Sequence, residues 1–284
     1  DIRLLHASSR LIVDNQNDYE EKALQPLVGS AVKVLTPHQL AALICGTRGF
    51  ETIALDVQGT DVILDEIHSY SSTAQAMVLE IIKVLVKLGC RVHVGTATMP
   101  SALYQQTLTL LGGETQAYQV RLTNEQLDSF DRHIVHKHLD EQSTNDPLNE
   151  AIKRGEKVLV VSNRVDVAQK RFEQLRDLHT HIPMLLLHSR FRRGDRADLE
   201  RRLMNEFEQA PEACIVVATQ VVEVSLDISF DLMITDCAPL DSLIQRFGRI
   251  NRRRTTATAQ HRTMKPVHVI APPEDGKACL PYQK

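Results

Sequence analysis

Short apolar runs alternate with amphipathic stretches along most of the chain. The runs at 2–5, 31–35, 62–64 and 91–95 predict strands. So do those at 157–161, 183–187, 213–218, 232–235 and 266–270, each bounded by polar or turn-forming residues. Between them lie helical stretches. Thr36, Pro37 and Gly46 bracket a helix over 38–45, with an N-cap, a proline at the first helical position and a glycine past the end. Over 73–88 the polar residues Glu80, Lys83 and Lys87 share one narrow face, so the rest of that helix is packed. Further helices are predicted up to Leu111 and over 165–178, 195–207 and 240–247. The β-α-β alternation implies an α/β fold, with parallel sheets flanked by helices. In such sheets ligands sit at the carboxyl ends of strands.

The alternation lapses over 123–150, a polar stretch with Asn124, Asp128, Asp131, Asp140, Ser143 and Pro147. This predicts two domains, 1–122 and 151–284, joined by a linker. The chain opens on Asp1-Ile2-Arg3-Leu4-Leu5, which reads like mid-domain sequence, so a piece of a longer protein is expected. The longest apolar tract, 76–88, is broken by Glu80, Lys83 and Lys87, and no membrane span is predicted. Five scattered cysteines, with no C-x-x-C pair, point to a reducing, cytoplasmic setting. A net charge of −3 excludes a general polycation, so any nucleic acid is gripped by a few placed contacts. His133, His136, His138, His179 and His181 have no standard zinc spacing, and no metal site is expected there.

The candidate chemistry sits at strand ends. Asp65-Glu66-Ile67-His68 closes the run at 62–64. Adjacent carboxylates at a strand exit suit a nucleotide hydrolase: one holds Mg²⁺, the other orients the attacking water. The ordinary alternative is a solvated strand exit. Thr96-Ala97-Thr98 follows the next strand and offers two hydroxyls. In the second half, Thr219 and Gln220 follow the run at 213–218, where a helix start suits a backbone phosphate. Asp227 lies further along. In Gln245-Arg246-Phe247-Gly248-Arg249-Ile250-Asn251-Arg252, Arg249 and Arg252 share a face if helical. Two guanidinium groups aimed at one point suit a phosphoryl group in transfer; a solvated basic patch is the plainer reading. The loop Leu187-His188-Ser189-Arg190-Phe191 is basic enough to grip a nucleic-acid backbone. No G-x-x-x-x-G-K-[ST] string occurs.

Taken in order, D-E-I-H-S-Y at 65–70, T-A-T at 96–98, L-H-S-R-F at 187–191, V-V-A-T-Q-V-V-E-V-S-L-D-I at 216–228 and D-S-L-I-Q-R-F-G-R-I-N-R at 241–252 resemble a superfamily 2 DExH helicase. Within that superfamily the chain is similar to the helicase part of the type I CRISPR-associated helicase–nuclease. The resemblance spans roughly 31–252. It implies two RecA-like domains, the first incomplete at its N-terminus, with ATP and Mg²⁺ as cofactors. Asp65 and Glu66 would be the metal and water residues, and His68 the coupling residue. Thr96 and Thr98 would link hydrolysis to movement. Gln245, Arg249 and Arg252 would reach the γ-phosphate, with Asp227 near the nucleotide. Thr36, Ser189, Arg190, Thr219 and Gln220 would line the path of single-stranded DNA. The partners implied are an RNA-guided CRISPR surveillance complex and a nuclease domain or subunit. The chain departs from the family pattern in three ways: it has no phosphate-binding loop, no His-Asp pair of the kind the nuclease uses, and Ser71 where many relatives carry an Asp. As given, it is not expected to hydrolyse ATP. A DExH RNA helicase and a hydrolysis-incompetent interaction module are the alternatives.

Overall fold

The structure, a computed structural model, describes residues 2–4, 32–67, 70–96, 99–120, 122–129, 131–223, 226–253, 263–272 and 282. The chain divides into two compact units, Asp1–Arg121 and Leu122–Lys284.

In the first unit, β1 (Ile2–Leu4) pairs in parallel with β2 (Val32–Val34). Two short helices follow, α1 (Pro37–Leu40) and α2 (Ala42–Cys45), abutting at Ala41, which keeps helical dihedrals. Gly46, at φ 58°, ends α2 in the left-handed region that glycine tolerates. After α3 (Phe50–Val57), β3 (Asp61–Asp65) and β4 (Arg91–Gly95) form a parallel pair. They are joined by α4 (Ser72–Lys87), and α5 (Ser101–Leu110) follows β4. The buried positions of α4 are Val78, Ile81, Ile82 and Leu85, one stripe at helical spacing. Val78 and Ile82 pack with Leu64 of β3, and Ile81 and Leu85 pack with Leu40 and Val57. The opposite side of the β3–β4 pair carries Asp61, Ile63, Asp65, Arg91 and His93, all exposed. There Asp61 accepts hydrogen bonds from Arg91 Nε at 2.8 Å and lies 2.9 Å from His93 Nε2. Those two bonds hold the Asp61 carboxyl well below the usual carboxylate range.

The second unit holds α6 (Asn124–Ser129), β5 (His133–His138), α7 (Asn145–Lys153), β6 (Lys157–Val161) and α8 (Val165–Leu178). It continues with β7 (Met184–Leu187), α9 (Arg193–Arg202), β8 (Cys214–Ala218), β9 (Leu232–Asp236), α10 (Leu240–Phe247) and β10 (Lys265–Ile270). Its six strands form one parallel sheet in the order β5-β10-β9-β6-β8-β7. The central strands are buried on both faces, which is why they read as unbroken apolar runs. Leu159, Val161, Cys214, Val216 and Ala218 face a core with Leu203 and Phe207. Val158, Val160, Ile215 and Val217 face another, with Leu148 and Ala151 of α7 and Ala168 of α8.

Two stretches differ from the sequence expectation. Residues 123–150, read as a linker, carry α6, β5 and the start of α7, and β5 is an edge strand of the sheet. The helix expected over 195–207 is α9 followed by a five-residue π segment, Leu203–Phe207, which turns Leu203 and Phe207 into the core.

On β5 and β10, in-register pairing sets His136 against His268, with ring centroids 4.9 Å apart and stacked. His138 Nε2 lies 2.8 Å from His268 Nδ1. Burial, together with the charges of His136 and His138, lowers the His268 pKa to about 4.

Candidate functional site

In the first unit the carboxylate pair stands where β3 leaves the sheet. Asp65 pairs in register with Gly95, and the Glu66 N–H donates to the Gly95 carbonyl at 2.8 Å. Glu66 then turns at φ 52°, an uncommon conformation for a non-glycine residue. The turn breaks the strand just after Asp65 and sends Ile67 back into the core, where it is 2% exposed. The Asp65 side chain lies over Gly95: a Cβ there would sit 3.4 Å from Asp65 Oδ1. Among the described residues no cation pairs with Asp65, whose carboxylate is exposed. Its charge and burial together raise the pKa of the Tyr70 phenol, burial being the larger cause. A cavity of about 580 Å³ runs beside β3, lined by Asp61, Ile63, Asp65, Tyr70 and β2 residues. Thr96 directly follows β4. His68 and Thr98 lie outside the described residues. Thr36 caps α1 in a reciprocal arrangement with Gln39, its N–H donating to Gln39 Oε1 at 2.8 Å.

In the second unit Ser189, Arg190, Thr219 and Gln220 follow the C-terminal ends of β7 and β8, whereas Asp227 and Arg252 lie beside Ser229, just before β9. Ser189 and Arg190 follow β7 and are exposed. Arg190 and Gln220 line one open cleft of about 800 Å³ with Arg164, Asp166, Glu223 and Ser242. Thr219 is different: it is 2% exposed, and its N–H donates to the Leu187 carbonyl at 3.1 Å. Beyond it, Gln220–Val222 form a single 3-10 turn.

The arginines do not share a helical face. α10 ends at Phe247, Gly248 caps it, and Ile250 bridges to Phe230 in extended pairing. Asn251, at φ 51°, turns the chain again. Arg249 points inward, 6% exposed, with Nε donating to the Val222 carbonyl at 2.8 Å and Nη2 to the Glu223 carbonyl at 2.6 Å. Arg252 stays near the surface, where its Nε pairs with Asp227 Oδ1 at 2.8 Å. Asp227 also accepts from Arg253 at 3.5 Å. Gln245 sits within α10.

Sequence reasoning passed over Arg246 and Asn163. Arg246 is 0% exposed. It donates to Glu223 Oε1 at 2.8 Å, Thr235 Oγ1 at 2.8 Å and Asn163 Oδ1 at 2.9 Å. Burial raises the Glu223 pKa, opposed by its pairing with Arg246. Nearby, Arg171 donates to Asp236 Oδ1 at 2.7 Å and to Ser162 Oγ at 2.8 Å. Arg171 alone carried a signal, since it shares the apolar side of its helix with Ala168.

The family comparisons bear on this second unit first. Residues 154–255 match the family model described as CRISPR-associated nuclease/helicase Cas3, C-terminal. A CRISPR-associated nuclease/helicase Cas3 of Methanothermobacter thermautotrophicus is 28% identical over 277 residues, 91% of this chain and 31% of the relative. The chain resembles the C-terminal helicase part of type I Cas3. It spans between 24% and 31% of the length of the first three curated Cas3 relatives. Among solved structures, that of T. fusca Cas3-ADP aligns with 97% of this chain and 37% of its own, at a TM-score of 0.69 and 21% identity. A chain of the structure titled CRISPR RNA-guided surveillance complex, pre-nicking, aligns with 96% of this chain and 38% of its own, at a TM-score of 0.64 and 20% identity. The fold class expected from the alternation, α/β with parallel sheets flanked by helices as in the RecA-like Cas3 helicase structures, is the one observed.

Proposed function

We propose that this chain is the motor part of a CRISPR-associated, ATP-dependent helicase that moves on single-stranded DNA and opens target DNA for a nuclease. The observation that carries the reading is the Asp65-Glu66 pair at the C-terminal end of a parallel strand, with Asp65 exposed and paired with no cation among the described residues. Mg²⁺ is usually held by one or two carboxylates plus the phosphates of its nucleotide, not by an all-protein cage. The residues present fit that pattern. Among the described residues no group of three or more His, Cys, Asp or Glu is placed to hold a metal by itself. Bound Mg-ATP would supply the phosphoryl group whose hydrolysis drives movement. Asp65 would bind the metal's water shell, Glu66 would orient the attacking water, and Arg249 and Arg252 would answer the charge that builds on the γ-phosphate.

The similarity to Cas3 supports the nucleotide role and the surveillance-complex partner, because one neighbour is a Cas3-ADP structure and another belongs to an RNA-guided surveillance complex. The second unit's cleft, with Arg164, Arg190 and Gln220 around it, suits a phosphodiester backbone. Ser189 and Thr219 would extend that path, and in the first unit Thr36 is a further proposed DNA contact. His68, Thr96 and Thr98 would link hydrolysis to movement, and Asp227 would hold Arg252 close to the nucleotide. The recruiting partner is an RNA-guided complex that exposes single-stranded DNA, and the nuclease is a further domain or subunit. No described helix is long and apolar enough to cross a membrane.

The test is equilibrium binding of a labelled single-stranded DNA to this chain, with a matched RNA as competitor. The reading expects DNA to win. A preference for RNA, which alone offers 2′-hydroxyls, or binding to neither strand, contradicts it.

A further inference from the structure

A continuous chain of hydrogen bonds crosses the strand ends of the second unit. Gln220 Nε2 donates to the Asn163 carbonyl at 2.7 Å. On the same residue, Asn163 Oδ1 accepts from Arg246 Nη2 at 2.9 Å. Arg246 Nε reaches Glu223 Oε1 at 2.8 Å, and the Glu223 carbonyl accepts Arg249 Nη2 at 2.6 Å. Gln220 opens onto the cleft, whereas Arg249 is buried. The links between them are also buried: Asn163 is 8% exposed and Arg246 0%.

Three features make this chain stiff. Asn163 is fixed at two further points, its N–H donating to Asp236 Oδ2 at 2.8 Å and its Nδ2 to the Cys237 carbonyl at 2.8 Å. Asp236 is itself held by Arg171. The Arg246 guanidinium has every neighbour it needs for a planar fork, so it cannot shift without stranding a buried charge. Finally, one residue, Glu223, meets Arg246 through its side chain and Arg249 through its backbone, and a single 3-10 turn separates it from Gln220. A displacement at Gln220 therefore has two rigid routes to the carbonyls that grip Arg249, one through the turn and one through Asn163 and Arg246.

We infer that Asn163 is a positioning residue that couples occupancy of the Gln220 cleft by a nucleic-acid phosphate to the release of Arg249 from the Val222 and Glu223 carbonyls. The inference rests on the helicase reading above and adds a route for its regulation. Arg249 is held within its own unit by the Val222 and Glu223 carbonyls. A phosphate that draws Gln220 away from the Asn163 carbonyl loosens the Asn163–Arg246–Glu223 path, and the guanidinium becomes available for the γ-phosphate. Asn163 also lines the cleft, with its side-chain oxygen turned to Arg246, and it acts through that guanidinium.

The test compares ATP hydrolysis with and without single-stranded DNA, in a polypeptide that joins this chain to a phosphate-binding loop. Three forms are assayed: unaltered, Asn163→Ala and Asn163→Asp. Asn163→Ala removes the acceptor for Arg246 but leaves the backbone carbonyl that Gln220 uses. It is expected to cut the stimulation factor about tenfold, the size of effect a lost hydrogen bond to a buried charge produces, with DNA affinity little changed. Asn163→Asp keeps an acceptor oxygen toward Arg246 but loses the Nδ2 donor to the Cys237 carbonyl, and is expected to restore part of the stimulation. A purely structural role would lower stability and both rates together, and would not separate the two substitutions. Stimulation retained in Asn163→Ala overturns the relay and leaves the helicase reading intact. No stimulation in the unaltered protein overturns the helicase reading, and the relay with it.

Discussion

Arg246 and Glu223 form an ion pair of 2.8 Å in the interior of the second unit, with the arginine side chain fully buried. Taking both groups out of water is costly, and removing one partner strands the other. Arg246→Met is therefore expected to lower the unfolding free energy by about 3–5 kcal/mol. The double variant Arg246→Met with Glu223→Leu is expected to lose less than the single one. Urea unfolding followed by circular dichroism checks both. A single variant within experimental error of the parent would mean the pair contributes no net stability.

The stacked and hydrogen-bonded histidines on β5 and β10 make stability depend on pH. The His268 pKa is lowered to about 4 in the folded protein. The unfolded chain therefore binds the extra proton between about pH 6.5 and pH 4, and this contribution is complete above that window and lost as pH falls through it. The loss at pH 4 is on the order of 2–3 kcal/mol. Urea midpoints at pH 7.5, 6 and 5 should fall progressively in the parent and fall less in His268→Asn. Equal slopes for the two proteins would contradict the assignment.

Arg190 is exposed beside the cleft, free to meet a phosphate. Arg190→Ala is expected to weaken single-stranded DNA binding at all sequences alike. It should also make the slope of log affinity against log salt shallower by about one contact, roughly 0.7 for a single strand. Fluorescence anisotropy at several salt concentrations measures both quantities. An unchanged slope would place Arg190 off the DNA path.

Much of the second unit was legible because its central strands are buried on both faces. The runs at 157–161, 213–218 and 232–235 read as strands and are strands, and the helix read over 240–247 is α10. β5 was not legible. His133-Ile134-Val135-His136-Lys137-His138 is too polar to signal a sheet, because an edge strand buries little and its His136 and His138 meet His268 of β10 instead of an apolar core. At the site, sequence placed Asp65 and Glu66 at a strand exit, as the structure does. It did not show that the chain beyond Phe247 is extended, which turns Arg249 inward and leaves Arg252 near the surface. Nor could it single out Arg246, since a buried arginine and a surface one look alike until their partners are known.

The structure also fixes what Arg249 must do if it serves hydrolysis: leave two backbone carbonyls. Arg249→Ala is expected to abolish ATP hydrolysis, a loss of about 10³-fold or more for a group acting as an arginine finger, while DNA affinity changes little. Lost DNA binding with normal hydrolysis would reverse that assignment.

The most direct measurement is the rate of ATP hydrolysis by this chain joined to a phosphate-binding loop, with Mg²⁺ present, in the presence and absence of single-stranded DNA. A DNA-driven motor requires marked stimulation by DNA and its loss in Asp65→Asn and Glu66→Gln. Hydrolysis indifferent to DNA, stimulated only by RNA, or unchanged in both carboxylate variants would contradict the helicase account.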